Sequence, residues 1–364
     1  MKTSHYRIKQ SLKQRRLDAV LIASPENRRY LSGFSPPDGS LTETSGWLLI
    51  PAEGGPCLLT DPRFRLEAEK EAPDFRTVIY SRSLLSSLRD LLKEQEIRQL
   101  AFESRALLHS TYLELADKLS GTGIEITPLE NLVERMRLRK GPGELEKIKA
   151  SVRLNEEVFQ EAYQRLEPGM TEIEVALDLE RTMRLKGAEG PSFPTIVAGG
   201  PSGAAPHAVP GGRPLREGEP VIIDMGLILD GYCSDMSRTI ILGKPDRQTT
   251  ERIRLVRRAQ QAAIQVIRAG IPAREVDRTA RSLIADEGMG NYFNHGLGHG
   301  VGLAVHEAPS LNRRNRKKLR EGMVVTVEPG IYIQGWGGIR LENMVVVKKD
   351  GCEVLNRDTI FLDL

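Results

Sequence analysis

Two aspartates interrupt one of the most apolar stretches of this sequence. Residues 221–240 read VIIDMGLILDGYCSDMSRTI, and Asp224 directly follows three β-branched apolar residues. Asp235 lies eleven positions later, in a second run suited to burial. An ionised carboxylate is costly to bury unless a cation or hydrogen-bond donors compensate its charge. The stretch therefore requires a fold that brings compensating groups to both acids.

The dipeptide Asp230-Gly231 predicts a two-residue hairpin turn between the two acids, because both central positions of a type I′ turn need positive φ. In that register Asp224 faces Ser237, and Asp224 and Asp235 become diagonal neighbours on one sheet face, about 7 to 8 Å apart at the backbone. Carboxylates at this distance repel each other unless one is protonated or cations lie between them. The alternative is two solvated aspartates, one at a strand end and one in a loop.

Three of the six histidines fall in the glycine-rich stretch NHGLGHGVGLAVHEAP, residues 294–309. His295 and His299 have helical spacing, but the four alternate glycines favour an extended segment with close backbone neighbours. An extended backbone would place His295 and His299 on one face and His306 on the other. A single histidine is usually structural, whereas this cluster favours a functional site.

Two further acids occur in residues 323–347, MVVTVEPGIYIQGWGGIRLENMVVV. Glu328 ends an apolar strand, and a Pro-Gly pair interrupts the ladder after it. Arg340 and Glu342 alternate with apolar residues, so their side chains point the same way. The apolar MVVV run that follows favours burial of both over a surface ion pair. QGWGG predicts a wide, flexible connection between the two arms.

A weak internal repeat relates two parts of the chain after residue 140. Residues 167–187, shifted by 101 positions onto 268–288, match at two glycines, a glutamate and a valine. Each segment is followed by a polar loop and a strand hairpin that carries two acids. The four acids are Asp224, Asp235, Glu328 and Glu342. The repeat predicts a duplicated unit that gathers four carboxylates around a pseudo-twofold axis.

Together these stretches offer four carboxylates and an imidazole. Such a donor set suits two divalent ions of the manganese, cobalt or zinc kind better than a structural zinc, which prefers thiolates in a closed tetrahedron. Two such ions can activate a water molecule and polarise a carbonyl. On this interpretation, bound cations neutralise the buried acids.

The chain of 364 residues exceeds the usual single-domain length. Its pattern of strand-like and helix-like segments changes near residue 140. Before that point short strand-like and helix-like segments alternate, which is typical of helices packed on a sheet. One such helix has clear end signals, with Ser24 as N-cap, Pro25 at the first position and Gly33 at the stop. We expect two domains, residues 1–130 and 131–364.

Composition narrows the class of protein. The formal net charge of +3 does not indicate a nucleic acid or a membrane as partner. The basic run Arg313–Arg320 is either a solvated loop, which we favour, or a polyanion patch. The apolar run Ala19–Ala23 is too short for a signal peptide or a membrane span. Three scattered cysteines without a CxxC pair favour a reducing compartment, so we expect a cytoplasmic protein.

The motifs DMGLILDGYCSDMSRTI, HGLGHGVGLAVHE, VEPGIY and GIRLEN occur in this order. With them the sequence resembles the pita-bread metallopeptidases, in particular the proline-specific branch of Xaa-Pro dipeptidases (prolidases) and aminopeptidases P. The resemblance covers nearly the whole chain, since NRRYLSGF and LLTDPRFRLEAE look like the creatinase/prolidase N-terminal domain. It implies an α/β (α+β) fold in which that domain precedes a catalytic pita-bread domain with internal pseudo-twofold symmetry.

The resemblance also implies a dinuclear site that hydrolyses the bond between an N-terminal residue and proline. The ions would be Mn²⁺ first, with Co²⁺, Zn²⁺ or Fe²⁺ as alternatives. Asp224 would chelate one ion, His299 and Glu328 the other, and Asp235 and Glu342 would bridge them. All five positions carry the residue types that the family uses.

Five more roles come from the same resemblance. His306 would stabilise the tetrahedral intermediate, and Glu328 would handle the proton. His207 would bind substrate near the leaving proline, and His295 would line the proline pocket. Arg340 would support the ligands or hold a substrate carboxylate.

Small peptides with proline at the second position are the implied substrates, and a homodimer is the implied assembly. The modest length favours a dipeptidase over an aminopeptidase P. A creatinase-like hydrolase would lack the acidic ligands, and a methionine aminopeptidase would lack a first domain of this kind. A non-enzymatic binding module of the same fold would typically have lost ligands.

Overall fold

The computed structural model describes residues 2–357, which fall into two compact units. The first unit ends at Arg137 and the second begins at Leu138. Among the described residues, no helix combines the length and the apolar character needed to cross a lipid bilayer. All three cysteines are free thiols.

The first unit is built on a six-stranded mixed sheet. Its helices are α1 (Lys2–Arg15), α2 (Pro25–Ser32), α3 (Arg65–Glu71), α4 (Leu84–Glu94), α5 (His109–Leu119) and α6 (Glu134–Arg137), with a 3₁₀ turn at Pro62–Phe64. Its strands are β1 (Ala19–Ile22), β2 (Gly46–Pro51), β3 (Cys57–Thr60), β4 (Arg76–Ile79), β5 (Gln99–Glu103) and β6 (Glu125–Leu129). The strand order is β4-β3-β2-β1-β5-β6, and β1 runs antiparallel to β2 and parallel to β5.

Alternation along β1 explains why helices cover both faces of this sheet. Val20 and Ile22 pack in one apolar cluster with Leu12 of α1. Leu21 packs in a second cluster with Leu88 of α4. Successive strand residues face opposite sides of a sheet, so a strand that is apolar throughout needs a helical layer on each side. The predicted α/β arrangement is confirmed.

Helix α2 has the two ends that its sequence predicts. The Ser24 side chain accepts a hydrogen bond from the Asn27 amide, Pro25 occupies the first position, and Gly33 ends the helix in the left-handed conformation with φ 88°. Proline is tolerated at a helix start because its missing N–H has no partner there, and glycine adopts positive φ without strain.

The second unit contains two helix pairs and four sheets. Its helices are α7 (Pro142–Tyr163), α8 (Glu172–Leu185), α9 (Arg247–Val266) and α10 (Ala273–Asp286), with 3₁₀ turns at Gly200–Ala204 and Gly290–Tyr292. Its strands are β7 (Gly190–Pro191), β8 (Ile196–Gly199), β9 (Pro220–Met225), β10 (Leu227–Leu229), β11 (Tyr232–Cys233), β12 (Met236–Ile241), β13 (Gly298–Gly300), β14 (Glu307–Leu311), β15 (Val324–Val327), β16 (Gly330–Ile333), β17 (Gly337–Arg340), β18 (Asn343–Val347) and β19 (Cys352–Val354). The sheet orders are β12-β9-β8, β14-β13-β15-β18-β19, β16-β17 and β11-β10-β7.

The predicted internal repeat is present in this unit. Helices α8 and α10 begin 101 positions apart and also end 101 positions apart. The turn before each helix is held in the same way, because the Gly169 amide donates to the Leu215 carbonyl and the Gly270 amide to the Leu319 carbonyl, both at 2.9 Å. Each half then contains an antiparallel strand pair, β9 with β12 and β15 with β18. The duplicated unit is therefore confirmed.

The hairpin that contains the first two acids also has its predicted register. Asp230 and Gly231 have φ values of 49° and 82°, as a type I′ turn requires. Asp224 on β9 pairs with Ser237 on β12. This register confirms the diagonal placement of Asp224 and Asp235.

The connection QGWGG is not the wide, flexible link that its glycines predict. Ile333 and Gly337 already form a pair of the β16–β17 ladder, so only three residues make the turn. Gly335 closes it with a φ of 78°, and the Trp336 amide donates to the Ile333 carbonyl at 3.0 Å. The glycines provide positive φ for a tight turn and do not lengthen the loop.

We predict that Gly226→Ala destabilises the second unit. A Cβ atom at Gly226 would lie 2.1 Å from the Ser234 carbonyl oxygen and 2.3 Å from the Ser192 hydroxyl, so the backbone would have to move. We expect a loss of about 3 kcal/mol in the free energy of unfolding, measured by denaturant melts. The control is Gly351→Ala, where a Cβ meets nothing within 4 Å. Equal stabilities of the two variants would contradict the predicted clash.

Candidate metal centre

One cavity of 610 Å³ in the second unit is lined by every site residue that the sequence predicts. These residues are His207, Asp224, Asp235, His295, His299, His306, Glu328, Arg340 and Glu342. Asp224 lies on β9, Glu328 directly follows β15, and His299 is the middle residue of β13. The acids therefore come from the ends of strands that correspond in the two halves of the repeat.

The predicted ligands converge at one end of this cavity. Asp235, His299 and Glu342 offer ligand atoms that all lie within 4.8 Å of one another. The His299 Nε2 atom lies 3.3 Å from Glu328 Oε1 and 3.6 Å from Asp235 Oδ2. Asp224 is buried beside them and adds its negative charge to the electrostatics of Asp235.

The donor atoms fit divalent cations. Asp224 Oδ1 and Glu342 Oε1 are buried and have no hydrogen-bond partner within residues 2–357. Unpaired buried acceptors are costly, and a cation would satisfy them. Among the described lining residues, four carboxylates face one guanidinium, that of Arg340, so three negative charges have no counter-charge when all four acids are ionised. Hard oxygen donors with one imidazole suit ions such as Mn²⁺, Co²⁺ or Zn²⁺.

Arg340 organises the acids around it. It donates to Asp224 Oδ2 at 2.6 Å, to the Ser237 hydroxyl at 2.8 Å and to the Tyr332 hydroxyl at 2.9 Å. The Ser237 hydroxyl donates in turn to Glu342 Oε2 at 2.9 Å. Arg340 and Glu342 are only 3% and 2% exposed, which confirms the predicted burial of this pair. Arg340 thus contacts one acid directly and a second through Ser237.

The backbone orients two of the histidines. His299 Nδ1 lies 3.0 Å from the Gly300 carbonyl oxygen, and His295 Nδ1 lies 2.8 Å from that of Gly296. A carbonyl can only accept, so each Nδ1 carries the proton and Nε2 is left with a lone pair. The His299 Nε2 lone pair is then free to bind a metal, and His295 Nε2 accepts from the Tyr332 hydroxyl at 2.9 Å.

His306 does not lie on the opposite face from His299, as an extended backbone would require. The strand ends at Gly300, and residues 301–306 form a bend. The bend returns His306 to the cavity, where its ring lies 4.3 Å from the His299 ring in an edge-on arrangement. The parity prediction for His306 was therefore wrong.

The sequence interpretation missed three supporting hydroxyls. Tyr332 links His295 to Arg340, and Ser237 links Arg340 to Glu342. The Thr326 hydroxyl donates to Glu328 Oε1 at 3.0 Å and accepts from the His299 amide at 3.0 Å. Strand alternation could have found two of them, since Ser237 and Thr326 lie two residues from Asp235 and Glu328.

The electrostatics of the metal-free cluster favour the protonated forms of Asp235, Glu328 and Glu342. Burial raises the pKa of Asp235 and Glu342, and the neighbouring carboxylates raise both further. Burial raises the pKa of Glu328 to about 8, with Arg340 opposing. Burial lowers the pKa of His299 and of His295 to about 4, so both are neutral at pH 7. A divalent cation binds a neutral imidazole, and it displaces the protons of the acids that it binds.

We predict that metal-free protein loses stability relative to Glu328→Gln as pH rises. The pKa of Glu328 is raised from 4.5 in the unfolded chain to about 8 in the folded one. The stability that this raised pKa contributes is fully present below pH 4.5 and is lost as pH rises to about 8. The measurement is the difference between the thermal midpoints of the two proteins in chelator, from pH 5 to 8.5.

Subtracting the variant removes the groups whose pKa does not depend on Glu328. Glu103 in the first unit has a pKa raised to about 7 by burial and would lower stability in the same range. His295 and His299 act in the opposite direction between pH 4 and 6.5. A difference that stays constant over the range would contradict the predicted proton on Glu328.

Comparison with known proteins gives a consistent result along the whole chain. The sequence profile of metallopeptidase family M24 matches residues 146–349, and that of the creatinase/prolidase N-terminal domain matches residues 5–139. An Xaa-Pro dipeptidase of Pyrococcus horikoshii is 36% identical over 342 residues, which cover 94% of this chain and 93% of that protein. An uncharacterized peptidase of Bacillus subtilis, YqhT, is 35% identical over 335 residues, or 92% of each chain.

Solved structures agree with these relatives. The Xaa-Pro dipeptidase from Bacillus anthracis superimposes with a TM-score of 0.91 at 34% identity, covering 98% of each chain. The X-Pro aminopeptidase from Thermotoga maritima superimposes with a TM-score of 0.86 at 35% identity, covering 94% of this chain and 96% of its own. From its two profile matches, its relatives and its fold, this chain belongs to metallopeptidase family M24 and carries the creatinase/prolidase N-terminal domain.

Proposed function

We propose that the chain is a dinuclear-metal exopeptidase that cleaves the bond between an N-terminal residue and proline, with dipeptides as its preferred substrates. The observation that supports this most is the convergence of four carboxylates and His299 at one end of a cavity. Relatives named Xaa-Pro dipeptidase and X-Pro aminopeptidase support the substrate class.

In this proposal, five residues hold two divalent ions, Mn²⁺ in preference to Co²⁺, Zn²⁺ or Fe²⁺. Asp224 would hold one ion, His299 and Glu328 the second, and Asp235 and Glu342 would be shared by both. Two ions held in this way would supply a water molecule of lowered pKa and would polarise the scissile carbonyl. The two unpaired oxygens, Asp224 Oδ1 and Glu342 Oε1, belong to this ligand set.

The chain's own residues supply proton transfer and charge stabilisation. Glu328 Oε1 accepts from Thr326, which leaves Oε2 to take a proton from the attacking water and return it to the leaving nitrogen. His306 is exposed to the cavity and offers an N–H to the oxyanion of the tetrahedral intermediate.

The remaining cavity wall suits a proline ring. Phe193, Ile196 and Val209 give it apolar surface, and His207 and His295 line the same cavity. We assign His207 and His295 to substrate binding, and Arg340 to holding Asp224 and Tyr332 in place. A mostly apolar pocket with a few placed polar groups can bind a compact apolar ring and fix its orientation.

The resemblance to the family is also the basis for the proposed domains, assembly and cellular location. Residues 1–130 form the creatinase/prolidase-like domain and residues 131–364 the catalytic domain. The active form is a homodimer that acts in the cytoplasm on small peptides, without a nucleic acid or membrane partner.

We predict that Asp235→Asn loses bound metal and activity together, because an amide cannot bridge two cations as a carboxylate does. The expected result is less than about half of the wild-type metal content and a fall in kcat of about 10³-fold or more. Mass spectrometry of bound metal and hydrolysis of an Xaa-Pro dipeptide measure the two quantities. Asp230→Asn is the matched control, since it lies on the exposed turn and asparagine tolerates its φ of 49°. Full activity of Asp235→Asn would exclude a bridging role.

We predict that substrate length separates the dipeptidase from the aminopeptidase. With Mn²⁺ added to metal-free protein, kcat/KM for an Xaa-Pro dipeptide should exceed that for an Xaa-Pro tripeptide by about tenfold or more, because a closed pocket has no room beyond proline. An Xaa-Ala dipeptide is the control for recognition of proline. Equal or faster cleavage of the tripeptide would instead identify an aminopeptidase P. Repeating the assay with Co²⁺, Zn²⁺ and Fe²⁺ tests the preferred metal.

A further inference from the structure

A buried ion pair lies directly behind His306. The Lys140 ammonium is 3.0 Å from Glu307 Oε2, and the two side chains are only 1% and 8% exposed. Lys140 precedes α7, and its amide donates to the Gly322 carbonyl at 2.7 Å, so its backbone is held as well. A charge pair removed from water is stable only when its geometry is good and further hydrogen bonds satisfy it. Burying this pair costs desolvation free energy, so its fixed position needs an explanation.

The second oxygen of Glu307 holds the bend that carries His306. Glu307 Oε1 accepts from the Ala304 amide at 3.1 Å, and the Gly302 amide donates to the Ala304 carbonyl at 3.0 Å. A Cβ atom at Gly302 would lie within 2.8 Å of both Glu307 oxygens. The Glu307 carboxylate thus fills the inside of the bend, and it leaves no room for a side chain at Gly302.

His306 has no comparable support of its own. Within residues 2–357 its imidazole forms no hydrogen bond with the protein, and its close ring contact is with His299 at 4.3 Å. The position of the ring is therefore set by the backbone of the bend. Glu307 is the next residue in the chain, and its carboxylate accepts from the Ala304 amide of the same bend, so loss of that contact would reach His306 through the backbone.

We propose, building on the role of His306 in the proposed function, that Lys140 and Glu307 are positioning residues. Their ion pair fixes the bend of residues 301–307 and thereby holds the His306 imidazole at the site where the oxyanion develops. A donor displaced by about 1 Å from that site loses on the order of 10²-fold in rate. Neither residue is among those that line the cavity, so both act through His306.

The first test is kinetic and uses the metal-loaded protein with an Xaa-Pro dipeptide. Lys140→Met should lower kcat by about 10- to 100-fold with KM changed less than about twofold and metal content unchanged, and Lys140→Arg should restore most of the loss. In a His306→Ala background, Lys140→Met should change kcat less than about twofold, because the group it positions is absent. Lys149→Met is the matched control, since it breaks the partly exposed Lys149–Glu353 pair of 2.8 Å. Wild-type kcat in Lys140→Met, or the same loss with and without His306, would overturn the proposal.

The second test follows His306 itself and needs neither metal nor activity. The chain has six histidines, and labelling them with ¹³C at Cε1 gives six signals, of which His306→Ala identifies one. Lys140→Met should move that signal towards the value of free histidine, whereas Lys149→Met and Lys140→Arg should leave it in place. An unmoved His306 signal in Lys140→Met would overturn the positioning role. Absence of Xaa-Pro cleavage by the wild type would overturn the proposed function and leave this spectral result readable.

A double variant covers the case in which Lys140→Met fails to fold because Glu307 is left buried and unpaired. Lys140→Met combined with Glu307→Met buries no charge, and apolar replacements of buried ion pairs commonly retain stability. We expect the double variant to fold and to show the same displaced His306 signal. A signal at the wild-type position would overturn the proposal.

Discussion

The mutual repulsion of carboxylates buried at one point governs this structure. Burial raises the pKa of Asp235, Glu328 and Glu342, and neighbouring acids add to the effect in each case. Arg340 offsets part of the negative charge through its contact with Asp224. The remaining charge needs protons or cations, because the low dielectric of the interior leaves nothing else to screen it. In the proposed function, the metal ions therefore contribute to the stability of the fold as well as to its chemistry.

The duplicated unit brings these acids together, and the glycines let the histidine strand reach them. Strands β9 and β15 occupy corresponding places in the two halves, and each delivers an acid at its end. A Cβ atom at Gly298 would lie 2.2 Å from the Thr326 carbonyl oxygen, so β13 can approach β15 only with glycine there. That approach puts His299 within 3.3 Å of Glu328. The alternate glycines are thus explained by close strand packing, and they place the imidazole among the carboxylates.

Much of the site was predictable because strand geometry is local. The turn at Asp230-Gly231 fixes the register of Asp224 against Ser237, and residues two positions apart share a face. The position of His306 was not predictable, because it depends on a bend that is held by a contact between Glu307 and Lys140, 167 residues apart. Side-chain alternation does not predict where a strand ends. No local sequence signal identifies Lys140 as the partner of Glu307.

The cap residues of α2 and the hairpin register could be predicted from φ preferences, and the donor types of the candidate metal centre from side-chain alternation over a few residues. The internal repeat was visible as matching residues 101 positions apart. Three other features needed the folded chain: the tight turn at QGWGG, the pairing of the Arg340 guanidinium with Asp224 across 116 residues, and the lack of protein partners for Asp224 Oδ1 and Glu342 Oε1 within residues 2–357. These features depend on which surfaces pack together in three dimensions, and packing is set by the volume and charge of residues far apart in the chain.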